Sequence, residues 1–84
     1  MTKTVFISGC STGIGLYLAQ TLQERGYQVI ASCRKPLDVA RLQDMGIYSI
    51  QMDVSDSGSI KKAVQQLLEH TQGKLDVLIN NAGY

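Results

Sequence analysis

Four short apolar, β-branched runs alternate along the chain with three segments in which apolar residues recur at helical spacing. The runs cover residues 4–7, 28–31, 47–51 and 75–79, and each has the length of a strand. They are apolar throughout instead of alternating with polar residues, which is typical of parallel strands covered by helices on both faces. The pattern therefore predicts an α/β fold with the chain order βαβαβαβ.

The first two helical segments are each followed by a glycine, the common residue just past a helix end. In the first segment Ile14, Leu18 and Leu22 share one face, which predicts an amphipathic helix packed on the sheet. The second segment covers about 37–45, and Pro36 just before it suits a helix start because its φ is already fixed.

The third segment has the clearest helical period. Asp56 or Ser55 would cap its N-terminus, and Gly73 would end it. Polar residues between the apolar positions are predicted to face water. The predicted apolar stripe consists of Ile60, Val64, Leu67, Leu68 and Thr71.

The order of the strands in the sheet follows from the handedness of the connections. Right-handed crossovers carry strands 1, 2 and 3 in one direction, and strand 4 then pairs beside strand 1, which gives the order 3-2-1-4. This order predicts part of a doubly wound nucleotide-binding (Rossmann) fold. Its crevice lies where the order reverses, so residues 9–15 after strand 1 and 80–83 after strand 4 should be neighbours.

A glycine-rich segment, Ser8-Gly9-Cys10-Ser11-Thr12-Gly13-Ile14-Gly15, joins the first strand to the first helix. Its glycines allow a sharp turn and a close approach of a ligand to the backbone. A helix N-terminus offers unpaired N–H groups and the positive end of the helix dipole, which suits a pyrophosphate. The alternative is that the glycines only make a tight strand-to-helix turn.

Two cations follow the second strand, where an NAD-binding fold usually has a carboxylate for the ribose hydroxyls. Residues 31–35 contain no carboxylate, and Arg34 and Lys35 stand there instead. A guanidinium fork and an ammonium group suit the 2′-phosphate of NADP, which makes NAD the less favoured cofactor. The alternative is a pair of solvated surface cations.

Polar residues also end the third and fourth strands. Asp53 could accept a hydrogen bond from the adenine amine while the backbone of Val54 contacts the ring edge, or Asp53 could be a turn residue before the third helix. The segment 80–83, Asn-Asn-Ala-Gly, could tie strand ends together through its amides. It could equally be an ordinary polar turn.

The motifs Gly9-x-x-x-Gly13-Ile14-Gly15, Asp53-Val54 and Asn80-Asn81-Ala82-Gly83 together resemble the short-chain dehydrogenase/reductase family over almost the whole chain. The resemblance implies an oxidoreductase that transfers a hydride between NADP(H) and a carbonyl or alcohol substrate. It implies that the dinucleotide is cradled by Gly9, Ser11, Gly13, Ile14 and Gly15. It further implies that Arg34 with Lys35 selects NADP, that Asp53 and Val54 hold adenine, and that Asn81, Ala82 and Gly83 line the ribose and the crevice.

The chain departs from the family at its end. Family members use a serine and a Tyr-x-x-x-Lys pair downstream of the Asn-Asn-Ala-Gly motif, and here the sequence stops one residue after it. Tyr17, Tyr27 and Tyr48 have no lysine four residues later. We therefore expect residues 1–84 to be the NAD(P)-binding half without the catalytic half, inactive by itself. It would be a piece of a longer protein or the product of an unusually short gene.

Two other functions stay open. The chain could be a non-catalytic nucleotide-binding or assembly module that self-associates through an exposed edge of strand 4 or pairs with a separate C-terminal half. It could also be a nucleotide-binding fold with no redox role.

Composition narrows the partners. The net charge of +1 over 84 residues provides no field that would recruit nucleic acid or a membrane surface. Cys10 and Cys33 form neither a disulfide framework nor a zinc motif, and free thiols suit a reducing compartment. No apolar stretch approaches a membrane span and no signal peptide is recognisable, so a cytoplasmic protein is expected.

Overall fold

A computed structural model describes residues 2–11 and 13–81, which form one parallel sheet flanked by helices. The predicted order of elements is confirmed. In chain order they are β1 (Thr4–Ser8), α1 (Gly13–Glu24), β2 (Gln28–Cys33), α2 (Pro36–Asp44), β3 (Tyr48–Gln51), α3 (Ser57–Thr71) and β4 (Val77–Asn80).

The sheet has the predicted strand order β3-β2-β1-β4, and every strand pair is parallel. At the centre of β1, Phe6 lies opposite Ile30 of β2 and Leu78 of β4. This arrangement confirms the α/β class and the partial Rossmann topology, and it places the carboxyl ends of all these strands at one edge.

Successive residues of the central strands point to opposite faces, so the sheet builds a separate core on each side. On one face Val5, Ile7 and Val29 pack under α1 and α2, which contribute Ala19 and Leu42. The other face is covered by α3, whose buried Ala63 and Leu67 pack against a cluster that contains Phe6, Ile30, Ile50 and Met52.

The inward face of α1 agrees with the prediction in part. Leu18 and Leu22 are half-buried and pack against the core, but the fully buried positions are Gly15 and Ala19, and Ile14 is 71% exposed. Small residues one turn apart let the helix lie close to the sheet. Ile14 points to solvent although its neighbour Gly15 is buried, so its predicted place on the core face is wrong.

The apolar stripe of α3 is also only partly covered. Leu67 and Thr71 are buried together with Ala63, but Val64 and Leu68 are each 43% exposed. The stripe is broader than the strip of helix that touches the sheet, and its centre lies on the small residue Ala63. Asp56 is the N-cap residue, as predicted, and accepts hydrogen bonds from the backbone of Gly58 and Ser59.

The last strand is short and open on its outer side. It starts at Val77, two residues later than predicted, because Asp76 turns its carboxylate back to accept the backbone N–H of Thr4 at 2.8 Å. Leu78 is 64% exposed, and Val77 is exposed as well. Among the described residues, no helix has both the length and the apolar character that crossing a membrane requires.

Candidate functional site

The parallel sheet brings four of the predicted segments to one edge, because each of them follows the carboxyl end of a strand. The glycine loop follows β1, Arg34 follows β2, Asp53 lies two residues after β3, and Asn81 follows β4. Predicted site residues Ala82 and Gly83 lie outside the described residues.

The glycine loop depends on two different properties of glycine. Gly9 and Gly13 adopt φ of 70° and 67°, in the left-handed region that other residues avoid. Gly15 is instead required for space: an added Cβ would lie 2.5 Å from Nδ2 of Asn81 and even closer to the carbonyl oxygen of Gly9. The first turn of α1 can therefore approach β1 closely only with glycine at position 15.

Side chains at the ends of β1 and β4 join the two predicted motifs. Asn81 donates its Nδ2–H to the Gly9 carbonyl at 3.1 Å, and its backbone N–H to the Ser8 hydroxyl at 3.1 Å. The Ser8 hydroxyl donates to Oδ1 of Asn80 at 3.0 Å. These contacts confirm that the fold places the glycine loop and the Asn-Asn segment beside one another.

Cys10 fixes the inner side of the loop to the sheet. Its backbone N–H donates to the Ser32 carbonyl of β2 at 2.9 Å, and its thiol donates to the Ile7 carbonyl at 3.2 Å. Burial raises the pKa of the Cys10 thiol to about 12 and that of Cys33 to about 11. Both cysteines are free, buried and protonated, so they act as core residues and not as nucleophiles.

The outer side of the loop is held by a residue that sequence reasoning did not find. Nη2 of Arg41 on α2 donates to the Ser11 carbonyl at 2.5 Å and lies 3.4 Å from Oδ1 of Asp38. The sequence separation of 30 residues hides this contact, and the i, i+3 spacing of Asp38 and Arg41 is its only trace in the sequence. Ile14, also predicted for the site, is exposed at the mouth of the same loop.

The two predicted cations are both exposed where β2 gives way to α2. Gln51 of β3 donates its Nε2–H to the Arg34 carbonyl at 3.0 Å, which fixes the backbone there. Lys35 is the N-cap residue of α2 in an extended conformation, and its side chain makes no capping hydrogen bond within the described part of the chain.

Asp53 is a charged turn residue. Its Oδ1 accepts hydrogen bonds from the backbone N–H of Ser55 at 3.0 Å and from the Ser55 hydroxyl at 2.6 Å. These bonds, with a smaller contribution from the positive charge of Arg34, lower the pKa of Asp53 below its ordinary value. The carboxylate is therefore an acceptor at neutral pH. The next residue, Val54, packs against the core cluster under α3.

A separate hollow of about 630 Å³ lies along β3, between α2 and α3, away from the glycine loop. Tyr48 and His70 line it and stack with ring centroids 3.6 Å apart at an interplanar angle of 9°. The stacking joins the last turn of α3 to the start of β3.

Comparison with known proteins gives consistent relatives. "Uncharacterized oxidoreductase YbbO" of Escherichia coli is 40% identical over 84 residues, which is 100% of this chain and 31% of that protein. "NADPH-dependent 1-acyldihydroxyacetone phosphate reductase" of Schizosaccharomyces pombe is 39% identical over 82 residues, covering 96% of this chain and 28% of that protein. The solved structure of ElxO with NADP bound has a TM-score of 0.83 at 30% identity, and the match covers 100% of this chain and 36% of that one.

The chain thus spans about a third of the length of the curated relatives it matches. A sequence profile described as short chain dehydrogenase matches residues 3–84. With the observed strand order and the joined motifs at the sheet edge, this match establishes that the chain belongs to the short-chain dehydrogenase family.

Proposed function

We propose that residues 1–84 are the NADP(H)-binding part of a short-chain oxidoreductase that acts between a carbonyl compound and an alcohol. When bound, the nicotinamide would supply or accept the hydride. The residues of this chain would bind and orient the adenosine and pyrophosphate portions, and the catalytic serine, tyrosine and lysine would lie outside these 84 residues.

The glycine loop carries this proposal. At Gly13 an added Cβ would meet nothing within 4 Å, so the backbone at the start of α1 is open to a ligand. Unpaired N–H groups and the helix dipole at such a terminus favour a pyrophosphate. The bonds from Asn81 to Gly9 and Ser8 hold the loop in place before any ligand binds. In this proposal Gly9, Ser11, Gly13, Ile14 and Gly15 cradle the dinucleotide.

The adenosine end would lie across the carboxyl ends of the strands. Asp53, whose lowered pKa keeps it ionised, would accept a hydrogen bond from the adenine amine through its outer oxygen while the backbone of Val54 contacts the ring edge. Asn81, with Ala82 and Gly83, would line the ribose and the crevice.

The preference for NADP over NAD rests on Arg34 with Lys35. Both are exposed at the end of β2, and residues 31–35 include no carboxylate that would repel a phosphate. An NADPH-dependent relative and a structural neighbour with NADP bound support the same choice.

Calorimetric titration of the 84-residue chain with NADPH and NADH tests the proposal, and we expect NADPH to bind more tightly. Arg34→Asp should weaken NADPH binding by about 10- to 100-fold, the value of a lost charge-assisted hydrogen bond, and should favour NADH. Arg25→Asp makes the same charge change near the amino-terminal end of β2, at the other end of the strands, and should leave the preference for NADPH over NADH intact. Binding of neither dinucleotide would contradict the proposed function, and a retained NADPH preference in Arg34→Asp would contradict the assignment of Arg34.

A second experiment tests the proposal that residues 1–84 bind the dinucleotide while the catalytic residues lie outside them. The 84-residue chain should bind NADPH without oxidising it in the presence of carbonyl compounds. A longer chain that carries an in-frame Tyr-x-x-x-Lys after residue 84 should oxidise NADPH. Steady oxidation of NADPH by the 84-residue chain would contradict the proposal that the catalytic residues lie outside it.

A second candidate function is a non-catalytic module that assembles through β4. The exposed apolar residues Val77 and Leu78 on the outer edge of the sheet favour it, because open strand edges pair with other chains. The partner would be a second copy of this chain or a separate C-terminal half. Sedimentation velocity tests self-association: a folded monomer at high concentration would contradict it.

We also propose that the protein works in the cytoplasm. Its two buried free thiols suit a reducing compartment. Fractionation of cells that express the tagged chain would test this, and recovery from an oxidising compartment would contradict it.

A further inference from the structure

The contact between Arg41 and the glycine loop gives this residue a position that no sequence motif assigns. Nη2 of Arg41 donates to the Ser11 carbonyl, and the same atom faces Oδ1 of Asp38 one helical turn earlier on α2. The side chain thus crosses from α2 to the loop that follows β1.

The guanidinium also lies close to the end of β2. Burial raises the pKa of Cys33, the negative charge of Asp38 raises it further, and the positive charge of Arg41 opposes both. Cys33 is the last residue of β2 and immediately precedes Arg34. Arg41 therefore contacts the loop at Ser11 and acts electrostatically on Cys33, the residue just before the segment proposed to select a phosphorylated ribose.

The donors of Arg41 are only partly used. Within the described residues both of its contacts involve Nη2, which leaves the N–H groups of Nη1 and Nε for a ligand. The side chain is 53% exposed, so a ligand can reach it. A guanidinium with donors in a planar fork is well suited to the oxygens of a phosphate.

We propose that Arg41 is a second specificity-determining residue for the 2′-phosphate of the dinucleotide, acting beside Arg34. Nη2 holds the loop through Ser11, while the other nitrogens donate to the phosphate. This inference rests on the proposed function, since it requires that the chain bind a dinucleotide at the loop. Asp38 keeps the guanidinium oriented, and its negative charge opposes phosphate binding.

A simpler role is a loop anchor that acts through Ser11 alone. An anchor would support the pyrophosphate cradle, which NAD and NADP share, so its loss would weaken both dinucleotides equally. A phosphate contact concerns NADP only. The ratio of the two affinities therefore separates the roles.

The test is calorimetric titration of the 84-residue chain and its variants with NADP⁺ and NAD⁺. Arg41→Gln removes the Ser11 contact, which affects both dinucleotides, and the phosphate contact, which affects NADP⁺ alone. We therefore expect NADP⁺ binding to weaken about 10- to 100-fold more than NAD⁺ binding, as expected for loss of a charge-assisted hydrogen bond. Arg41→Lys keeps the charge without the fork, so its NADP⁺ affinity should be intermediate. Asp38→Asn removes the opposing charge and should not weaken NADP⁺ binding.

Arg25→Gln is the matched control, because it removes the same charge near the amino-terminal end of β2, at the other end of the strands. Circular dichroism checks that each variant is folded. Equal losses for both dinucleotides in Arg41→Gln, or no loss, would overturn the assignment of Arg41 while the proposed function stands. If the unsubstituted chain binds neither dinucleotide, the proposed function and this inference both fall.

Discussion

At Gly15 the backbone of α1 passes so close to Gly9 and Asn81 that no side chain can be accommodated. Gly15→Ala places a methyl group against the Gly9 carbonyl and the Asn81 amide, both of which belong to the joined motifs. We expect the substitution to lower the free energy of unfolding by about 1–3 kcal/mol, the usual cost of overpacking, and to weaken dinucleotide binding. Urea unfolding and titration with NADPH measure the two effects.

Gly58→Ala is the control for this prediction. Gly58 lies in the first turn of α3, and an added Cβ would make an ordinary contact of 3.4 Å with Oδ1 of Asp56. Alanine is a better helix former than glycine, so this variant should be as stable as the unsubstituted chain or more stable. If the two variants behave alike, the crowding at Gly15 does not matter.

The buried thiols of Cys10 and Cys33 should make the free energy of unfolding decrease at alkaline pH. Their pKa values rise from the ordinary 9.0 to about 12 and about 11 because both are buried. Below pH 9 both thiols keep their protons in the folded and the unfolded chain. Above it the unfolded chain releases protons that the folded chain retains, so the free energy of unfolding falls, by about 1.4 kcal/mol per pH unit for each thiol at most.

Urea unfolding at pH 8, 9 and 10 measures this slope. The double variant Cys10→Ala, Cys33→Ala removes both thiols, so it reports the pH dependence that does not come from them. We expect its stability to fall less steeply with pH than that of the unsubstituted chain. Identical slopes would mean that the two thiols do not contribute.

Helix α3 has an N-terminus capped by the side chain of Asp56. Oδ1 of Asp56 accepts the backbone N–H groups of Gly58 at 2.9 Å and Ser59 at 3.4 Å, which satisfies two of the donors that a helix start leaves unpaired. Asp56→Ala should lower the free energy of unfolding by about 0.5–2 kcal/mol. Ser57→Ala, one residue later and without a capping role, should change it little, and equal losses in urea unfolding would refute the cap.

Element order could be predicted because it depends on local periodicity and on breakers such as Pro36 and Gly73. Which residues form the buried face of a helix could be predicted only in part: Leu67 and Thr71 of the predicted α3 stripe are buried. Val64 and Leu68 look like core residues by spacing, yet the sheet touches α3 along Ala63 and Leu67. Ala63 lies where α3 comes closest to the sheet. Close packing of a helix on a sheet favours a small residue there, but a small residue contributes little to the hydrophobic pattern of the sequence.

Some features of the candidate site could likewise be predicted from the sequence and others could not. The juxtaposition of the glycine loop with Asn81 could be predicted, because it follows from strand order alone. The contact between Arg41 and Ser11 could not, because a long side chain that reaches across 30 residues leaves no periodic pattern. For Asp53 the sequence allows two roles, a turn residue and an acceptor for adenine. The structure shows the turn, and the hydrogen bonds of that turn lower the pKa of Asp53 and so keep the negative charge that an adenine acceptor needs.

For the whole molecule, the two edges of the sheet differ. The outer edge at β3 is partly closed, since Gln43 of α2 donates to the Ser49 carbonyl at 3.2 Å. The edge at β4 is open, and its Leu78 is 64% exposed. Both proposed functions use this second edge: a longer oxidoreductase would continue its sheet there, and an assembly module would pair there with another chain.

Leu78→Lys should therefore reduce self-association of the 84-residue chain, because a charged side chain at an open strand edge opposes pairing with a second copy. Leu37→Lys is the control: Leu37 is even more exposed, at 81%, but it lies on α2, away from the β4 edge. Sedimentation velocity over a range of concentrations should show a smaller weight-average mass for Leu78→Lys than for the unsubstituted chain and the control. Equal effects of the two substitutions would indicate nonspecific aggregation, and an unchanged mass in Leu78→Lys would exclude the β4 edge as the contact.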